Sequence, residues 1–400
     1  MLVVCAQRMV TRYLIIFATK NMRSPLLASF IVLVLHVSCL TGESEKDDSK
    51  LKLLEHTRPQ YASGFAYAQT PSGYSIKVYN PWQGANGIEY TYSLDSTISR
   101  PKLNERAVIP FPVNRVVCLS TTHIAYIDVL NRVDAIVGVS NVNLTTNDII
   151  HNRFSNDLLQ EVGYAQALNF EVLVSLQPDV VFAYGVGAEM AGNIQKFTDL
   201  GIPLVFVADY LESDPLGKAE WVKFFSLFFD KEGIASTFFS EIEAKYNDVK
   251  NLVSEINHRP TVFFNLPWKD IWYVPGSDSY MAKLVYDAGA QYVIKHKDGT
   301  SSVPLSLESA MEYGLKANFW LNTGTANSVN DIVKSLPMAA KFSAVQQGYV
   351  YNNNKLTNTN GGNDFWESGV VNPHVVLSDL AKIFHPNLID QQFTYYKKLD

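Results

Sequence analysis

The sequence predicts an α/β protein in which two parallel-sheet lobes are joined by one long helix. Three observations predict it. Between residues 214 and 257 apolar side chains recur every three or four positions: Trp221, Phe224, Phe225 and Phe228, then Phe238, Phe239, Ile242, Tyr246, Val249 and Ile256. That is the spacing of a helix with one buried stripe. On both sides of the run, short β-branched or aromatic segments alternate with helical ones, the grammar of parallel sheets. One unit of helix, strand and glycine also occurs on each side, beginning with Leu168, Asn169, Phe170 and Glu171 and ending at Gly185, then beginning with Leu305, Ser306, Leu307 and Glu308 and ending at Gly324.

A length of 400 residues has room for two domains, and 47% hydrophobic and 12% aromatic content supplies a sizeable core. The net charge of −6 gives no electrostatic reason to expect a nucleic-acid partner. Cys5, Cys39 and Cys118 make no disulfide framework.

Taken in order, the chain opens with a leader over 1–39. Its working start is Met22, followed by Arg23 and an apolar run at 26–37, too short to span a membrane as a helix. Ser38 before Cys39 resembles a bacterial lipobox, although His36 stands where Leu is usual, so Cys39 is the expected lipidation site. The acidic polar tether over 40–59 is too polar to fold alone. It resembles the export signals that follow the lipidated cysteine in Bacteroidetes lipoproteins. Alternating Tyr74, Ile76 and Val78, then Ile88, Tyr90 and Tyr92, predict an antiparallel hairpin in an extension over 60–112, packed on the first lobe as an added edge.

The first lobe spans 113–213. Strands are expected at 116–119, 135–139, 180–184 and 204–207, and helices at 124–131, 170–176 and 189–200, with a polar loop at 141–160. The connecting helix follows over 214–257, entered through Asp214 and Pro215, weakest between Asp230 and Gly233, and ended by Pro260. The second lobe, over 258–400, repeats the pattern with strands at 261–265, 272–274, 319–323 and 349–352 and helices at 280–288, 307–313 and 375–383.

Several short runs now line up: Arg-Val-Val-Cys-Leu at 115–119, Leu-Asn-Phe-Glu at 168–171, Gln-Pro-Asp at 177–179, Leu-Gly-Ile-Pro at 200–203, Ser-Leu-Glu at 306–308, and Pro373. In order and spacing they resemble the periplasmic binding proteins of ABC importers for iron chelates and cobalamin, over roughly residues 113–386. The resemblance implies a ligand cleft between the lobes and a role as a binding protein rather than an enzyme. It implies no resident cofactor, the cargo being an iron chelate, haem or cobalamin. The implied partners are an ABC permease dimer with its ATPase, met by a monomer held at the membrane through its lipid anchor, in the periplasm or cell envelope. In that family one surface glutamate per lobe docks on permease arginines, and Glu171 and Glu308 occupy those positions. Helix-dipole stabilisation, about 0.3–1 kcal/mol, is the plainer account of each carboxylate. One departure is that Ile124-Ala125 stands where the family often has Thr-Glu.

No phosphate-binding loop, zinc-binding His pair or nucleophile elbow occurs. Ser120 and His123 suit helix capping better than catalysis. His123, His151 and His374 could gather as a site for a bare metal ion, which keeps a metal-ion binding protein open as a rival reading. A nitrogenase-component-like enzyme subunit would share the two-lobed architecture but would need more cluster-ligating cysteines than Cys118. A surface scavenger without a permease is a third rival. The expected ligand-binding residues are aromatics near strand ends, where open α/β sheets hold ligands: Tyr164, Tyr184, Trp268, Trp272, Tyr273, Phe365 and Trp366. Their flat faces suit a macrocycle or aryl chelate. Core packing is the competing role of each. Lys269, Lys295 and Lys297 are the available counter-charges.

Overall fold

In the computed structural model the described residues are 54–103, 107–164, 167–185, 189–295 and 299–400. The leader, Cys39 and most of the tether lie outside them. Glu55–Asp400 fold as one unit.

Lobe 1 is a five-stranded sheet in the order Leu204–Phe206, Val180–Ala183, Val116–Cys118, Ile136–Val139, Gln160–Glu161, and every pairing is parallel. The three central strands are buried along their whole length, as parallel strands covered on both faces should be. Lobe 2 repeats the design in the order Gln291–Tyr292, Thr261–Phe264, Phe319–Leu321, Val350–Asn352, Lys397–Lys398, with only the last strand antiparallel. The two-lobed α/β architecture expected from the sequence is therefore present.

The connection between the lobes differs from a single helix. Helix Pro215–Phe229 ends at Asp230, whose φ of 57° and ψ of 50° are left-handed, and helix Glu232–Leu252 begins two residues later. The amide of Asp230 caps the carbonyl of Ser226, a left-handed C-cap made by aspartate rather than glycine. Gly233 lies within the second helix and is not the break. The second helix buries one stripe, Ala235, Phe239, Ile242 and Tyr246. The first is buried on nearly all sides, which marks a core helix rather than a bare spine.

The N-terminal extension explains that burial. Instead of adding an edge to lobe 1, it forms its own five-stranded sheet, Phe65–Thr70, Gly73–Tyr79, Glu89–Asp95, Ala107–Pro110, Lys102–Leu103, laid against helix Pro215–Phe229. Phe65 meets Trp221 at 4.9 Å and Phe224 at 5.4 Å. Two buried glutamates clasp the segment leading into it. Glu220 accepts the backbone N–H groups of Gln60, Tyr61 and Ala62, and Glu212 those of Ser63 and Gly64 together with the Trp221 indole. Donors that would otherwise be stranded in the interior are thereby satisfied. The sheet also covers the lobe 1 edge, where the Tyr92 hydroxyl accepts the Phe206 N–H at 3.1 Å.

One further difference lies in the polar loop expected at 141–160. It contains a helix, Asp148–Ser155, capped by Asn147 through the amides of Ile149 and Ile150. Its single buried apolar residue, Ile150, is too little to show as a period.

Candidate ligand-binding site

The strands of lobe 1 deliver their C-terminal ends to one place. Leu119, Ser120 and Thr121 follow the first strand, Ser140 and Asn141 the second, and Tyr184 the third. Facing them from lobe 2 come Gly361, Gly362, Asn363 and Trp366. Together with Tyr164, Leu144 and Ile124 these residues enclose a cavity of about 280 Å³. Among the described residues, none that lines it carries a charge. The nearest substitute is the partial positive end of helix Thr121–Val129, capped by Ser120 accepting the Thr122 N–H at 3.3 Å. Asn141 turns its amide toward the ring of Tyr164 and donates to its hydroxyl. The rings of Tyr184 and Tyr210 meet edge-on at 6.4 Å. Tyr164 and Trp366, 47% and 50% exposed, stand at the mouth.

The lobe 2 side is a strap that crosses to lobe 1 and ties itself down. Asn358 donates to the carbonyls of Asn143 and Thr145, both at 2.9 Å, and its own oxygen accepts the Gly362 N–H at 2.8 Å. Asn360 reaches the side chain of Asn143 at 3.0 Å. Behind the strap, buried Glu367 accepts the Thr146 N–H at 2.6 Å and also bonds both threonine hydroxyls, Thr145 and Thr146. Burial pushes the Glu367 carboxyl above its ordinary pKa, and the threonine bonds pull it back. Gly362 has to be glycine, because a Cβ there would stand 2.5 Å from the Leu144 carbonyl oxygen.

Of the seven aromatics expected at the site, Tyr164, Tyr184 and Trp366 are brought together. Trp272 and Phe365 correct the expectation, since both are core. Strand Ile271–Val274 alternates, so Trp272 points inward with its indole N–H donating to the Phe264 carbonyl at 2.9 Å, while Tyr273 points outward. Phe365 is buried against Tyr395 and Tyr396, at 6.1 and 5.7 Å. Trp268 is exposed at a tight turn closed against Ile271, with Lys269 over its ring at 4.5 Å, and neither it nor Tyr273 lines the cavity. Lys295 lies at a different surface depression, and Lys297 lies outside the described residues.

The three histidines do not gather. His123 is buried between the rings of Phe182 and Phe225, and burial lowers its pKa to about 3, so it is neutral. His151 bonds the Thr145 carbonyl oxygen, and His374 lies near Lys245. Among the described residues no group of three or more His, Cys, Asp or Glu side chains is placed to hold a metal ion. Glu171 and Glu308 are both exposed, each in the first turn of its helix, Phe170–Leu176 and Leu307–Lys316. Asn169 and Ser306 cap those helices.

Sequence reasoning missed Tyr210 and the polar residues that carry the strap. The available signal was compositional: asparagine recurs at 352, 353, 354, 358, 360 and 363, opposite a second Asn/Thr run at 141–147. Side-chain amides that bond backbone are what join two irregular segments.

A family model described as periplasmic binding protein matches residues 116–355. An uncharacterized lipoprotein of Methanocaldococcus jannaschii is 27% identical over 298 residues, covering 72% of this chain and 69% of its own. A second uncharacterized lipoprotein of that organism is 24% identical over 381 residues, 90% of each chain. Among solved structures, a periplasmic heme binding protein from Pseudomonas aeruginosa aligns over 72% of this chain and 98% of its own, with a TM-score of 0.56 and 14% identity. A periplasmic heme binding protein of Vibrio cholerae aligns over 66% and 98%, with a TM-score of 0.52 and 20% identity. At those identities the likeness is one of fold.

Proposed function

The chain belongs to the periplasmic binding protein family, and from that premise we propose that it is the substrate-binding component of an ABC importer, capturing an iron(III) chelate, haem or cobalamin. The observation that carries the reading is the lining of the cavity, which is drawn from both lobes, has two tyrosines and a tryptophan at its walls and mouth, and among the described residues contains no charged group. A bare metal ion needs carboxylate, imidazole or thiolate ligands. Among the described residues the lining has no carboxylate or imidazole, and burial pushes the Cys118 thiol far up, so that it stays protonated. A ligand that brings its own metal coordination and offers flat apolar faces fits such walls. A volume near 280 Å³ is small for a macrocycle, so the ligand's edge projects past Trp366 or the cleft widens around it. The solved heme binding proteins of the same fold support a metal-bearing macrocycle as the first probe.

Protein purified from its native host should show a visible absorption band from its cargo, and haem, corrin and ferric catecholate absorb differently. Colourless protein whose tryptophan fluorescence is unaffected by haemin, cyanocobalamin or a ferric catecholate would sink the chelate reading.

Delivery to a permease dimer with its ATPase is proposed to run through Glu171 and Glu308, one on each lobe, by a monomer. The anchor is proposed at Cys39. The two Methanocaldococcus relatives, both named as lipoproteins, support it. Among the described residues no helix is long and apolar enough to cross a membrane. Cys39→Ser is expected to move the protein from the membrane fraction to the soluble envelope fraction. If the variant pellets with membranes to the same extent, the anchor lies elsewhere.

A further inference from the structure

The N-terminal sheet, residues 65–110, lies outside the family match, yet its longest hairpin loop reaches Gly185, the neighbour of the cavity-lining Tyr184. The loop joins strands Gly73–Tyr79 and Glu89–Asp95. It is closed at its base by the Asn80 N–H donating to the Ile88 carbonyl at 2.8 Å and by the Ile88 N–H donating to the Asn80 side chain at 3.2 Å. Its outer part touches both lobes. On lobe 1, Trp82 pairs with Gly185 in a parallel bridge, and its ring packs on Phe206 at 5.6 Å. A Cβ on Gly185 would stand 2.9 Å from the Trp82 Cβ and 3.2 Å from the Pro81 carbonyl oxygen, so only glycine lets the loop come this near. Tyr210 ties the contact together: its hydroxyl donates to the Gly185 carbonyl. On lobe 2, Gln83 Nε2 donates to the Ser301 hydroxyl at 3.0 Å. Gly185 directly follows Tyr184, which lines the cavity.

We propose that the loop at 80–88 is a third wall of the ligand cleft, supplied by the N-terminal sheet, in which Trp82 and Gln83 select the ligand by size and govern its release. The proposal rests on reading the cleft as a chelate site. The two ends of the cleft are fastened unequally. At the strap end, buried Glu367 and the Asn358 amide hold lobe 2 to lobe 1 through several hydrogen bonds. At the loop end, among the described residues, the bond from the loop to lobe 2 is the one between exposed Gln83 and exposed Ser301. Water competes freely with an exposed bond and hardly at all with a buried one. The loop end is therefore the end that parts, and its parting widens the cleft so that ligand passes the mouth at Tyr164 and Trp366. The echoed glycines illustrate the specialisation: Gly324 adopts φ 61° with nothing within 4 Å of a Cβ, whereas Gly185 is kept small by the loop pressed against it.

The test uses Gln83→Ala, whose side chain is exposed and whose loss leaves packing intact, and Trp82→Ala, with Trp82→Phe as a control that keeps an aromatic ring. For each of haemin, cyanocobalamin and a ferric tris-catecholate that the wild type binds, dissociation rate and affinity are measured by fluorescence. Gln83→Ala should speed release by about tenfold, and Trp82→Ala should shift the affinity ratio of the bulkier to the smaller ligand by a similar factor. Trp82→Phe should stay close to wild type. Rates and ratios within twofold of wild type overturn the proposal. If the wild type binds none of the three, the chelate reading has failed, and the wall is judged on ligand-free protein by amide hydrogen exchange. Faster exchange around Gly185 and Ser301 in Gln83→Ala supports a clamp between the lobes, and unchanged exchange overturns it.

Discussion

Reversing both carboxylates proposed to dock on the permease, Glu171→Arg with Glu308→Arg, should abolish uptake in cells while the purified protein binds its ligand as before. Both side chains are exposed, and neither forms an ion pair within the described residues. Their helices are already capped by Asn169 and Ser306, so the carboxylates are free to serve another surface. The local cost of a cation in each first turn is small, about 0.3–1 kcal/mol from the helix dipole, and folding should survive. At an interface rim, by contrast, charges set orientation and association rate, and a like charge facing permease arginines repels. Each single reversal should lower uptake partially. Uptake, affinity and melting temperature measured on one double variant separate the two roles. Normal transport at normal expression, with a slightly lowered melting temperature, would leave only the dipole role.

The second large effect contrasts two tryptophans that look alike in the sequence. Trp272→Ala should cost about 3–5 kcal/mol of stability, a large share of the ~5–15 kcal/mol that holds a typical domain together. The ring is wholly buried, within 5.1 Å of Phe263, 6.0 Å of Trp320 and 6.2 Å of Phe342, and its loss also strands the Phe264 carbonyl. Trp366→Ala should do the reverse. Its ring is half exposed at the cavity mouth, so ligand affinity should fall by roughly tenfold or more, as for an aromatic anchor, with the melting temperature nearly unchanged. Denaturant unfolding and fluorescence titration on both variants check this. A Trp366→Ala protein as unstable as Trp272→Ala, with unaltered binding, would make Trp366 a packing residue.

These two tryptophans show where sequence reasoning stops. Nearness to a strand end placed both among the expected ligand contacts. What separates them is the direction of a side chain, and in strand Ile271–Val274 that follows from its antiparallel pairing with Val303–Ser306, a partner some thirty positions away. Phe365 and Trp366 are adjacent, yet one faces Tyr396 and the other the cavity. The helical run shows the same limit. Its period was legible, but a stripe on helix Pro215–Phe229 became burial on nearly all sides because the N-terminal sheet covers the other face. The break at Asp230 was legible only as a weak stretch, since aspartate adopts a left-handed cap less often than the nearby glycine would.

By itself the sequence determined the two α/β lobes, the order of most of their central strands and long helices, and the caps at Asn169 and Ser306. All of these depend on residues within a few positions of one another, where backbone geometry imposes a period or a cap. Only the tertiary structure decided which aromatics line the cavity, that an asparagine-rich strap ties lobe 2 to lobe 1, and that a loop of the N-terminal sheet presses on Gly185. Those outcomes depend on pairs such as Asn358 with Thr145 and Gln83 with Ser301, more than two hundred residues apart. No local pattern encodes such contacts, because a side-chain amide or an aromatic ring takes its role from whatever the fold places opposite it.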